Sequence, residues 1–114
     1  PVLLSAYRAA WHDPGFIRAS CHDYRAAIDV DFHHDAADLD RQVPCPALVL
    51  YGAEGAMARA MDVPATWAPR LARMQAAAIP GGHFFPDQSP VETAEALLAF
   101  LDQITPTKRS GKGI

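Results

Sequence analysis

Ala47-Leu48-Val49-Leu50-Tyr51 constrains this chain more than any other stretch. Five apolar residues run together without polar alternation, between Val43-Pro44-Cys45-Pro46 and Gly52. Proline removes backbone donors and disfavours helix, so the lead-in is extended. A strand without alternation is buried on both faces, as in a parallel sheet covered by helices. A second strand is expected at residues 75–79, and an amphipathic helix over residues 64–74 between the two. That helix would carry Trp67, Leu71 and Met74 on one side, with Pro69 opposing its first half. Residues 52–55 and 80–86 read as loops. Ser89-Pro90-Val91-Glu92 combines a capping box with proline at the first helical position. A last helix should therefore reach about Ile104, with Ala94, Leu97, Leu98 and Leu101 on its inner face.

Upstream, residues 1–11 look like the end of a helix. Asp13-Pro14 starts another, over residues 14–28, with Ile17, Cys21, Tyr24 and Ile28 on one face. Residues 29–41 are acidic, with a short helix expected near 35–39. The order helix, acidic segment, strand, helix, strand, helix is that of an α/β domain. Two short parallel strands leave both edges unpaired and give helices too little sheet to cover. The chain therefore reads as the C-terminal part of a larger domain, and its opening at Pro1 rather than methionine points the same way.

Composition narrows the function classes. With 114 residues, half apolar and a fifth charged, the chain holds one domain at most and is neither collagen-like nor broadly disordered. Its net charge of -3 argues against a polybasic nucleic-acid surface. Lys108, Arg109 and Lys112 lie in a stretch without acids, which reads as a disordered tail over residues 105–114. The longest apolar run, residues 96–101, is far short of the roughly 20 residues that span a bilayer. Residues 1–4 have no basic flank or cleavage site of a signal peptide. Cys21 and Cys45 lack metal or redox spacing, and a cytoplasmic setting is the expectation.

The residue that most suggests chemistry is His83. It closely follows a strand, and Gly81-Gly82 before it lets the backbone bend. Active sites of open parallel sheets collect beyond the carboxyl ends of the strands. Histidine titrates near neutrality and can serve there as general base. By position alone, a structural loop histidine is an equal reading.

The wider context resembles the α/β-hydrolase superfamily. A strand, then "PGGHFFPDQSP", then a capped helix ending "LLAFL" is similar to the end of those enzymes, where the triad histidine comes last in chain order. "PCPALVLYG" is similar to their penultimate core strand. More narrowly, "CHDYRAAIDVDFHHDAADL" joined to "VPCPALVLYGAEGA" and "GGHF" resembles the haloacetate (fluoroacetate) dehalogenases. Cys21, Asp23, Tyr24, Arg25, Asp31, Phe32, His34 and Asp35 fall where that family's pattern has them.

That resemblance implies an aspartate nucleophile that displaces halide and leaves an ester, which histidine-activated water then hydrolyses. Fluoroacetate would give glycolate and fluoride. His83 takes the water-activating role. Tyr24 matches the family's halide donor; without the resemblance, a tyrosine packed at the core edge is the commoner fate. Arg25 could hold a substrate carboxylate, although helical neighbours point about 100° apart, which favours a surface role. Neither G-x-S-x-G nor G-x-D-x-G occurs, so the nucleophile and the substrate-binding arginines are expected upstream of Pro1 and the chain alone is expected to be inactive. In many α/β-hydrolases the triad acid lies three residues after the glycine that ends the penultimate strand. Here that position is Gly55, with Glu54 one residue early. The dehalogenase family takes its acid after an earlier strand, outside this chain.

The expected architecture is the end of a helical cap with its return linker over residues 1–42, and the C-terminal part of an α/β-hydrolase core over residues 43–104. The expected partner is a small haloacid, with no nucleic acid, membrane, cofactor or metal, and a homodimer of the parent is open. An epoxide hydrolase or haloalkane dehalogenase is the nearest rival, and a noncatalytic binding fragment the rival from another class. His12-Asp13, His22-Asp23 and His34-Asp35 invite comparison with HD-domain phosphohydrolases, but strands and prolines oppose the all-helical bundle those need.

Overall fold

The computed structural model describes residues 2–105, so the tail expected from residue 105 lies, from 106 onward, outside the described residues. The chain divides into two compact units, Pro1–Asp40 and Arg41–Ile114.

The first unit is helical. Helix α1 covers Val2–Trp11 and α2 covers Pro14–Ala26. Asp13 caps α2: its Oδ1 accepts from the Gly15 N–H at 2.7 Å, and Pro14 occupies the first turn. Across this corner the rings of Trp11 and Phe16 meet edge-to-face, with centroids 5.8 Å apart. The helical path continues past residue 28. A π-helical turn, Ala27–Asp31, leads directly into α3, Phe32–Ala37. The acidic loop expected from residue 29 is thus helical as far as Ala37. No glycine or proline occurs between Phe16 and Val43 to interrupt it, and mutual repulsion of exposed carboxylates is weak. Ile17, Tyr24 and Ile28, expected on an apolar face, are all exposed.

The second unit is built on two parallel strands, β1 (Val43–Gly52) and β2 (Leu71–Ile79). Their register pairs Ala47 with Met74 and ends with Gly52 beside Ile79, so both carboxyl ends finish together. The irregularity lies between Val43 and Pro46, where two prolines lack donors. Side chains hold this ragged start: Arg73 Nε donates to the Pro44 carbonyl at 3.0 Å, and Gln42 Nε2 to the Pro69 carbonyl at 3.0 Å. β1 was expected to be buried on both faces, yet residues 47–51 are half-buried. Among the described residues β2 is its only strand neighbour.

Between the strands lie two short helices, α4 (Ala56–Ala60) and α5 (Val63–Trp67). The expected helix over 64–74 is therefore corrected. It stops at Trp67, and Leu71 and Met74 belong to β2. Pro69 cannot continue a helix, and the chain turns there into the strand. α4 has no counterpart in the sequence reading. Val63 and Ile79 are the most buried apolar side chains among the described residues.

After β2 come α6 (Phe85–Gln88), which overlaps the end of the loop expected over residues 80–86, and α7 (Pro90–Ile104). α7 starts at Pro90 as expected, but the capping box does not form, because Ser89 makes no side-chain cap bond. The Ser89 N–H already donates to the Phe85 carbonyl at 2.7 Å, which leaves Glu92 no donor to reach back to. The Thr93 hydroxyl instead donates to the Ser89 carbonyl at 2.7 Å. The packed face also differs from the expected one. Thr93, Ala96 and Phe100 are half-buried, whereas Ala94, Leu97, Leu98 and Leu101 are exposed. Gln75 Nε2 donates to Gln103 Oε1 at 2.7 Å, which links the end of the helix to β2.

Candidate active site

The carboxyl ends of β1 and β2 carry two loops that are stitched together through the backbone. The Ala53 N–H donates to the Ile79 carbonyl at 2.8 Å, and the Glu54 N–H to the Gly81 carbonyl at 2.9 Å. The approach is so close that a side chain on Gly52 would collide with the Gly82 carbonyl and stand 2.7 Å from that of Gly81. Gly81 has φ +111°, a conformation that L side chains rarely adopt. These two glycines let the loop double back over the end of β1 and bring out His83.

His83 is exposed at this strand-end rim, with its ring edge-to-face on Phe84 at 5.0 Å between centroids. Two further bonds hold the loop around it. The Phe85 N–H donates to the Gly82 carbonyl at 3.2 Å, and the Gly82 N–H donates to Gln88 Oε1 at 2.7 Å. Below the rim is a mainly apolar cavity of about 330 Å³, lined by His83 together with Tyr51, Met57, Trp67 and Phe85. The ring is thus neither packed in hydrocarbon nor at the amino ends of the strands. Such a position lets an imidazole meet water at the mouth of a mainly apolar pocket.

Gly55 lies against the same loop: a Cβ there would be 3.7 Å from the backbone nitrogen of His83. A side chain at position 55 would border the histidine, but this chain has none to offer there. Glu54 joins the loop through its backbone N–H.

Tyr24 and Arg25 belong to the other unit, on α2. Tyr24 is 77 % exposed, so within its own unit it is not the core-packed tyrosine that was its commoner alternative. Of the His-Asp pairs, Asp13 uses its carboxylate as a helix cap. Among the described residues no three His, Cys, Asp or Glu side chains gather to hold a metal. Cys21 and Cys45 are exposed and unbridged. No helix of the described residues is long and apolar enough to cross a membrane. The cavity wall formed by Met57 on α4 and Trp67 on α5 is not evident from the sequence, which assigns no element to residues 56–63. Nor does the sequence mark Gln88.

No family model matches the sequence. It is 50% identical over 101 residues, 89% of the chain, to a fluoroacetate dehalogenase of Burkholderia sp. The chain spans about a third of that relative's length (33%). Among solved structures, a Salmonella enterica protein described as an acyltransferase superposes with TM-score 0.77 at 33% identity, covering 82% of this chain and 31% of that one. A protein of Nostoc sp PCC 7120 described as an α/β-hydrolase superposes with TM-score 0.74 at 43% identity, covering 78% and 31% respectively. The two strands with their helices match the C-terminal part of that fold.

Proposed function

From the 50% identity over 89% of this chain to a fluoroacetate dehalogenase and the match to an α/β-hydrolase fold, we propose that the chain belongs to the haloacetate dehalogenase family and supplies the water-activating part of a hydrolase that exchanges the halogen of a haloacetate for hydroxyl. The nucleophile, an aspartate, is carried outside these 114 residues. Its carboxylate oxygen attacks the carbon bearing the halogen. The carbon–halogen bond breaks, its electron pair leaves with halide, and an ester remains on the enzyme. His83 then takes a proton from water, and the hydroxide adds to the ester carbonyl. Collapse breaks the ester C–O bond. The glycolate oxygen leaves with the electron pair and takes the proton of the new carboxyl group, which restores the aspartate, and the imidazolium returns its proton to solvent. The aspartate itself needs no base, since a carboxylate is ionised at pH 7.

Tyr24 is the halide donor of this reading. Fluoride leaves poorly unless hydrogen bonds meet the charge as it develops, and a phenol without packing partners in its own unit is available for that task. A dehalogenase is favoured over an epoxide hydrolase by Gly55, because the latter would often place its acid there.

The observation that carries the proposal is the position of His83: exposed, clamped by backbone bonds at the joined carboxyl ends of both strands, over an apolar cavity. The test is His83→Asn in the complete hydrolase incubated with fluoroacetate. One equivalent of fluoride should be released, and the intact protein should gain the mass of the ester and hold it. Continued turnover without a mass increase would remove His83 from the reaction.

A further inference from the structure

His83 sits on a loop whose course is fixed by hydrogen bonds on either side of it. The bond from the Gly82 N–H to Gln88 Oε1 is one of these and reaches the loop from the far end of α6. The same oxygen fills the space beside Gly81. A Cβ on Gly81 would stand 2.5 Å from Gln88 Oε1 and 3.3 Å from Gln88 Cβ. Gln88 therefore packs on one glycine of the hinge and accepts a hydrogen bond from the N–H of the other. The 82–88 segment is closed into a ring, with His83 next to the bonded residue.

We propose that Gln88 is the positioning residue for His83: its amide oxygen locks the Gly81-Gly82 hinge and so sets where the imidazole meets water. This rests on the reading of His83 as the water activator. The chemistry asks only for an acceptor of this length at position 88. Glutamate supplies one; leucine matches the bulk without it. Because the histidine acts on the ester and not on the nucleophile, loosening the hinge slows one step of the two. Misplacing a catalytic group by about 1 Å can cost on the order of a hundredfold in rate.

The test uses the complete hydrolase with fluoroacetate and the variants Gln88→Leu, Gln88→Glu and His83→Asn side by side. Gln88→Leu should lower kcat about tenfold or more and accumulate the ester, seen in the mass of the intact protein. Its kcat/KM should stay unchanged, because the first fluoride release precedes the histidine's step. Gln88→Glu should restore kcat. Wild-type kcat without ester in a folded Gln88→Leu overturns the proposal, and so does an equal fall of kcat and kcat/KM, which marks general damage. If Gln88→Leu does not fold, amide exchange in the unaltered protein decides. Protection of the Gly82 N–H, with wild-type kcat in Gln88→Glu, sustains the proposal, and exchange at the free rate overturns it. His83→Asn separates the two readings: failure to trap ester there removes the role of His83 itself. Trapping in His83→Asn with none in a folded Gln88→Leu removes only that of Gln88.

Discussion

The carbonyl of Gly82 stands where a side chain on Gly52 would begin, so two glycines thirty residues apart share one space at the ends of the strands. Neither loop can take its present course if Gly52 gains a methyl group. Backbone on both sides leaves no flexible atom to give way. Gly52→Ala in the complete hydrolase should cost on the order of 2 kcal/mol of stability, read as a lower denaturant midpoint. It should also slow ester hydrolysis, because the displaced backbone carries His83. A variant with unchanged midpoint and turnover would show that the two loops are not held this closely.

Tyr24→Phe separates a halide donor from a structural ring. The side chain is exposed in its own unit, so removing its hydroxyl opens no cavity and leaves no buried group unpaired there. Fluoride depends on hydrogen bonding more than chloride does. A donor to a charged group contributes about 1.5–3 kcal/mol, which is roughly tenfold to a hundredfold in rate. Turnover of fluoroacetate should therefore fall by about that factor, with a smaller fall for chloroacetate. Equal losses for both substrates would take Tyr24 out of the halide pocket.

Asp13→Ala tests the plainest account of the His12-Asp13 pair. The carboxylate accepts from the Gly15 N–H at the start of α2, and losing such a cap costs about 1 kcal/mol. Stability should fall by that amount, recover in Asp13→Ser, and leave turnover per folded molecule unchanged. A large loss of activity with stability intact would point to chemistry at the pair instead.

The parts of this architecture that were legible from sequence are those set by local rules. Asp13-Pro14 and Pro90 mark helix starts because capping and proline geometry act over a few residues. His83 stood out because glycines and a preceding strand lie beside it in the chain. Only the start of β2 escapes the sequence, for a physical reason: Trp67, Leu71 and Met74 follow one another at spacings of four and three, which imitate a helix although Leu71 and Met74 lie in the strand. The leucines expected on the inner face of α7 are exposed among the described residues, where Thr93, Ala96 and Phe100 are the more covered side chains. Gly52 and Gln88 were illegible as site determinants, since each matters through a backbone placed there by the turn at Gly81.

The last prediction concerns the 114 residues by themselves. They contain no elbow of the G-x-D-x-G or G-x-S-x-G kind, and in the proposed reaction His83 activates water only for attack on an ester that something else must form. Imidazole at a strand end polarises water but does not break a carbon–fluorine bond. The isolated chain incubated with fluoroacetate should release fluoride no faster than buffer, measured with a fluoride electrode, and should gain no mass. Fluoride release above that background would place the nucleophile on one of the chain's own carboxylates. Glu54 would be the first to examine, because its backbone N–H already bonds to the loop that carries the histidine.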